Sequence, residues 1–96
     1  MVQGRENWAE VTGRVVSIAP AGDGYERVEL AVQHAADVAP LPNFFRERIG
    51  STLTVEMPGD TVRAARLEPG STLTARLRLA TPALAFAHPD LVRRVD

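Results

Sequence analysis

Cysteine is absent from these 96 residues, which removes disulfides, zinc–thiolate sites and thiol nucleophiles together. Lysine is absent too, so all eleven basic side chains are arginine. Aromatics are few, at three Phe, one Tyr and one Trp, a thin supply for a chain that would stack bases. No apolar stretch approaches the ~20 residues that a bilayer-spanning helix needs. The polar start, Met1 to Asn7, lacks the apolar core of a signal peptide. The expectation is a cytoplasmic protein with no membrane contact. Catalytic signatures are missing as well. No Ser sits in a nucleophile elbow, no His–acid pair has supporting spacing, and the carboxylates are scattered. The two histidines, His34 and His88, do not supply the three or four converging ligands of a metal site. The reading is therefore not an enzyme, with no metal and no cofactor.

What is present suits one folded domain. The apolar fraction is 45%, ordinary for a globular chain. A chain of this length buries roughly 65% of its unfolded surface, enough for a core without staples. Residues 1–7 are expected to fray, and residues 8–96 to form the domain. Net charge is −1, so no global basic field exists, but the arginines are unevenly spread. Met1 to Phe45 holds three Arg against six acids, and Arg46 to Asp96 holds eight Arg against six. GC-rich coding explains the missing lysine without any function. Selection for planar, bidentate anion contacts is the functional alternative.

Period-2 patterning dominates. Ala9 to Ala19 reads as a strand whose apolar parity changes between Val15 and Val16, beside Gly13. Such a change needs a bulge, a bend or burial on both faces. Pro20 to Gly24 is a glycine turn, and Tyr25 to His34 then alternates. Val28, Leu30 and Val32 point inward; Tyr25, Arg27, Glu29 and Gln33 point outward. Asn43 to Ile49 reads as a short helix, capped by Asn43 and stopped at Gly50, with Phe45 and Ile49 facing the core together. Ser51 to Met57 and Thr72 to Ala80 are strands, the second with Leu73, Leu77 and Leu79 inward and Arg76 and Arg78 outward. Met57-Pro58-Gly59-Asp60 and Glu68-Pro69-Gly70-Ser71 both carry type II turn chemistry. Between them, Thr61 to Leu67 reads as irregular strand, with one helical turn capped by Asp60 as the alternative. Leu84 to His88 makes a last short strand, and Pro89 to Val95 is either a closing helical turn or more strand.

The fold class is therefore all-β, or β with one short helix: a small closed or partly open barrel of five to six strands. Three stretches carry a resemblance: Thr12-Gly13-Arg14-Val15-Val16, then Leu67-Glu68-Pro69-Gly70-Ser71-Thr72-Leu73, then Arg78-Leu79-Ala80 through Phe86-Ala87-His88-Pro89. In this order the chain resembles an OB-fold barrel over about residues 8 to 95. It departs at the helix, which OB-folds carry between the third and fourth strands and which the sequence places before the third. An SH3-like small barrel is the alternative that this departure keeps open.

Two functions follow from the patterning. In the first, Arg76 and Arg78 share an outward face, and Arg27 and Tyr25 stand outward near the glycine turn. The resemblance implies a weak, largely sequence-independent site for single-stranded DNA or RNA there, with Arg on phosphates and Tyr25 stacking. Outward arginines paired with acids such as Glu56 and Glu29 are the plain structural reading of the same residues. In the second, Leu41, Phe44 and Phe45 form an apolar surface for self-association or another protein, without nucleic acid. The plain reading there is that both rings are core.

Overall fold

The computed structural model describes residues 7–96. Five strands make one closed sheet: β1 (Ala9–Gly22), β2 (Tyr25–Asp37), β3 (Thr52–Pro58), β4 (Thr72–Thr81) and β5 (Leu84–Arg94). The order around the barrel is β1-β2-β3-β5-β4, with β4 returning to β1. All neighbours are antiparallel except β3 and β5, which run parallel over Thr54–Glu56 and Leu84–Phe86. The fold is all-β with one short helix, α1 (Gly59–Ala65), and a three-residue 3-10 turn at Arg46–Arg48.

The alternation read from the sequence determines what fills the barrel. Val11, Val15, Val28, Leu30, Leu53, Val55, Met57, Leu73 and Leu77 are buried, and Leu79 packs partly buried against them. Truncating one of the leucines to alanine would cost about 2–5 kcal/mol. The parity change on β1 is a bulge. Pairing with β2 slips between Val15 and Ser17, so Val15 is buried while Val16 stands 53% exposed. A second slip falls between Thr12 and Gly13. Here a Cβ on Gly13 would lie 2.7 Å from both the Ala31 carbonyl oxygen and Leu30 Cγ. Only glycine lets β1 lie this close to β2 while pairing on its other edge with β4.

Four expectations need correction. The helix lies between β3 and β4, over residues read as irregular strand. Thr61 and Val62 are β-branched and suggest strand, but both are buried under the barrel end. So short a helix forms by docking rather than by propensity. Asp60 in its first turn pairs with Arg63, and Arg66 ends it in the left-handed conformation, φ 57°. Accordingly Met57-Pro58-Gly59-Asp60 is not a type II turn. Gly59 has no positive φ, and its N–H donates to the Gly24 carbonyl at 2.7 Å. At the other predicted turn Gly70 does have φ 95°, and Ser71 N–H donates to the Glu68 carbonyl.

The Asn43–Ile49 helix shrinks to the 3-10 turn. Phe45 is fully buried, but Ile49 is extended and 44% exposed, because a 3-10 turn does not stack i and i+4. Asn43 acts as a staple instead of a helix cap. Its Oδ1 accepts from Phe45 N–H at 2.9 Å, and its Nδ2 donates to the Ala35 carbonyl and to Asp37 Oδ1. Of the segment expected to fray, Met1 to Glu6 lies outside the described residues. Asn7, in contrast, is buried against β4. Leu79 N–H donates to its Oδ1 at 2.8 Å, and its Nδ2 donates to the Leu79 carbonyl at 3.2 Å. The amide group thus continues the β1–β4 ladder beyond Ala9. Of the two readings left open for Pro89 to Val95, strand is the one found, as far as Arg94. Between the pairs Leu77–Ala87 and Ala75–Val92, β5 bulges outward at His88 to Leu91 and then rejoins β4.

Gly13→Ala tests the close approach of β1 and β2. It should cost about 1–3 kcal/mol by overpacking, with about 4–8 °C lost from Tm for each kcal/mol. A thermal melt unchanged from wild type would contradict that geometry.

Candidate functional site

Cross-strand register assembles one row of outward side chains. Arg27 on β2 pairs with Glu56 on β3, Glu56 with Phe86 on β5, and Phe86 with Arg78 on β4. Arg27 Nη2 donates to Glu56 Oε2 at 3.1 Å. The Arg78 guanidinium carbon stands over the Phe86 ring, 5.7 Å from its centroid, a cation–π contact worth roughly 0.5–1 kcal/mol when exposed. Among the described residues no carboxylate lies within ion-pair distance of Arg78.

Tyr25 lies two residues before Arg27 on the same face, opposite Pro58, and is 43% exposed. Tyr25, Glu56, Arg78 and Phe86, walled by Pro58 and Pro89, surround an open cavity of about 260 Å³. His88 continues the outward line of β5, and its ring meets Trp8 at 5.9 Å between centroids. Phe86, His88 and Trp8 therefore extend an aromatic band away from the cavity toward β1.

Of the residues read from the sequence, Tyr25 and Arg78 are brought to one cavity and Arg27 is linked to it through Glu56. Arg76 is not. It faces the β1 side, with Nη2 3.5 Å from Glu10 Oε2 and its buried Nε without a partner. The arginines as a whole are dispersed. Among the described residues, Arg27, Arg46, Arg63, Arg76 and Arg94 each meet a carboxylate.

The apolar Leu41–Phe45 segment also divides. Phe45 is core and offers a partner no surface, Leu41 is half-buried, and Phe44 remains 39% exposed. The sequence reading missed Phe86, Glu56, Pro58 and Pro89 as cavity walls. Leu84-Ala85-Phe86-Ala87 alternates large with small, and the usual inference would turn Phe86 inward. Ala85 and Ala87 point in instead, joining a core that holds the larger Phe45, Leu30 and Met57.

Among the described residues, no three His, Asp or Glu side chains converge as metal ligands, and no helix is long and apolar enough to cross a membrane. No family model matches the chain, and no curated protein matches it.

Electrostatic tuning lies elsewhere, at the base of the loop that seats Phe45. The Asn43 amide and then the Arg46 guanidinium hold the Asp37 carboxyl below its ordinary value of 3.8. A carboxyl whose folded-state value is depressed stabilises the fold fully above its unfolded value. That contribution fades as pH falls through the folded one. Asp37→Asn should therefore lower the urea midpoint near neutral pH, and by progressively less as the pH falls below the ordinary carboxylate value and the wild-type carboxyl takes up its proton. A deficit that does not shrink on acidification would mean that the charge does not secure the loop.

Proposed function

We propose that the chain is an OB-like barrel that binds single-stranded nucleic acid weakly on the face bearing Tyr25, Phe86 and Arg78. One observation carries this reading: the exposed Tyr25 ring, the half-buried Phe86 ring and the Arg78 guanidinium, which meets no ion-pair partner among the described residues, converge on one open cavity. The architecture supports it. In OB-folds ligands lie across strands 2 and 3, between the turns that join strands 1 to 2 and 4 to 5. Tyr25 follows the β1–β2 turn, and Arg78 and Phe86 flank the β4–β5 turn. The strand order, the parallel β3–β5 pairing and the helix between β3 and β4 suit the same architecture. The departure that the sequence suggested rested on a helix before the third strand, where only the 3-10 turn stands.

The site is built more for stacking than for charge. Arg27 shares its cation with Glu56, Arg76 lies apart, and the chain carries net charge −1. Stacking of one base on an aromatic contributes about 1–3 kcal/mol, and one phosphate neutralised by Arg78 would add about 0.7 to the salt slope on a single strand. Affinity is weak and the salt dependence shallow.

A second reading, contact with another protein, has Phe44 in its favour, since its ring stands 39% exposed in the segment between β2 and β3. Light scattering at high concentration tests it for self-association. A Phe44-dependent dimer supports that reading, and a strict monomer removes it.

Fluorescence titration with a labelled thymidine hexamer at two salt concentrations tests the first reading. Binding at low salt should weaken by about tenfold in Tyr25→Ala or Phe86→Ala. Arg78→Ala should flatten the salt slope by about 0.7. No binding at low salt, or binding indifferent to all three substitutions, would remove the proposal.

A further inference from the structure

We infer that the cavity selects guanine among the bases of a bound strand, with Glu56 and Arg78 reading its edge. The inference rests on the nucleic-acid reading above and concerns the same site. Glu56 is the unusual member of that site, because a carboxylate opposes phosphate and would be a liability on a surface that only follows the backbone. Its side chain is 19% exposed, and Oε2 is taken by Arg27 at 3.1 Å. Oε1 has no hydrogen-bond partner among the described residues, and the side chain lines the cavity. Arg27 thus orients the carboxylate and offsets its charge while leaving acceptor capacity for a ligand. Two guanidinium groups against one carboxylate keep the row net positive.

Donors and acceptors are laid out in order. Glu56 and Arg78 flank Phe86 on the neighbouring strands, and the Arg78 guanidinium leans over the Phe86 ring. Their Cα atoms are two strand spacings apart, about 10 Å, and both side chains line the one cavity. A base lying against Tyr25 therefore presents its edge to a carboxylate at one end and a guanidinium at the other. Guanine fits that order. One of its N1–H and N2–H donors meets Oε1 and the other the second lone pair that Oε2 keeps beside Arg27, while its O6 accepts from Arg78. Adenine, through N6–H with N1 or N7, and cytosine, through N4–H with N3, each satisfy the carboxylate and the guanidinium with one hydrogen bond apiece, one fewer than guanine. Thymine offers its single N–H between two carbonyl oxygens, one of which faces the carboxylate. Guanine is therefore ahead by the second donor to Glu56.

The test uses the full chain and labelled thymidine hexamers carrying one central guanine, adenine, cytosine or inosine. The guanine hexamer should bind about fivefold tighter than the adenine, cytosine and all-thymidine hexamers. Inosine, which keeps O6 and N1–H but lacks the 2-amino group, should lose most of that advantage. In Glu56→Gln the ratio of guanine to thymidine binding should fall toward one. Base selection is overturned if all hexamers bind alike, or if the guanine advantage survives both inosine and Glu56→Gln. Failure of every hexamer to bind at low salt overturns the nucleic-acid reading along with it. Guanosine monophosphate competing as well as the guanine hexamer would keep the base selection and make the ligand a free nucleotide rather than a strand.

Discussion

Three residue pairs close this barrel. Thr54, Val55 and Glu56 of β3 run parallel to Leu84, Ala85 and Phe86 of β5, and without that contact the sheet would be an open one with edges at β3 and β5. Exposed edges invite pairing with other chains. The same three pairs bring Glu56 beside Phe86, and antiparallel pairing then brings Phe86 beside Arg78. Closure and candidate site are consequences of one register. A slip of one residue would turn Phe86 into the barrel and Ala85 outward, setting the ring against a core that already holds Phe45, Leu30 and Met57.

Closure places demands on the rest of the chain. β1 must pair with β4 over Ala9–Arg14 and with β2 along nearly its whole length. It meets both through its bulges and the bare Cα of Gly13. The two ends are then sealed differently. At one end α1 docks Thr61 and Val62, and the Thr61 hydroxyl donates to the Pro89 carbonyl at 3.4 Å within the β5 bulge. Elsewhere, the loop after β2 inserts Phe45, held by Asn43. Both segments order because they bury side chains, which is why neither has strong local signals.

That distinction explains what the sequence made legible. Tyr25–His34 and Thr72–Ala80 alternate plainly, so their faces and the barrel class could be read, and the Val15–Val16 parity change announced the bend. Thr61–Leu67 was opaque because tertiary docking overrode the strand preference of Thr61 and Val62. Ile49 was misread because spacing alone does not distinguish an α-helix from a 3-10 turn. Within the site, Tyr25 and Arg78 could be named from parity. Their meeting with Glu56 and Phe86 depends on the nonlocal β3–β5 register, which leaves no local mark.

Nuclear Overhauser contacts between the backbones of β3 and β5 test the closure most directly. Cross-strand contacts are expected around Val55 and Ala85 in parallel register, with the Phe86 ring near the side chains of Arg78 and Glu56. Contacts in another register, or a Phe86 ring among Leu30, Met57 and Leu77, would contradict it.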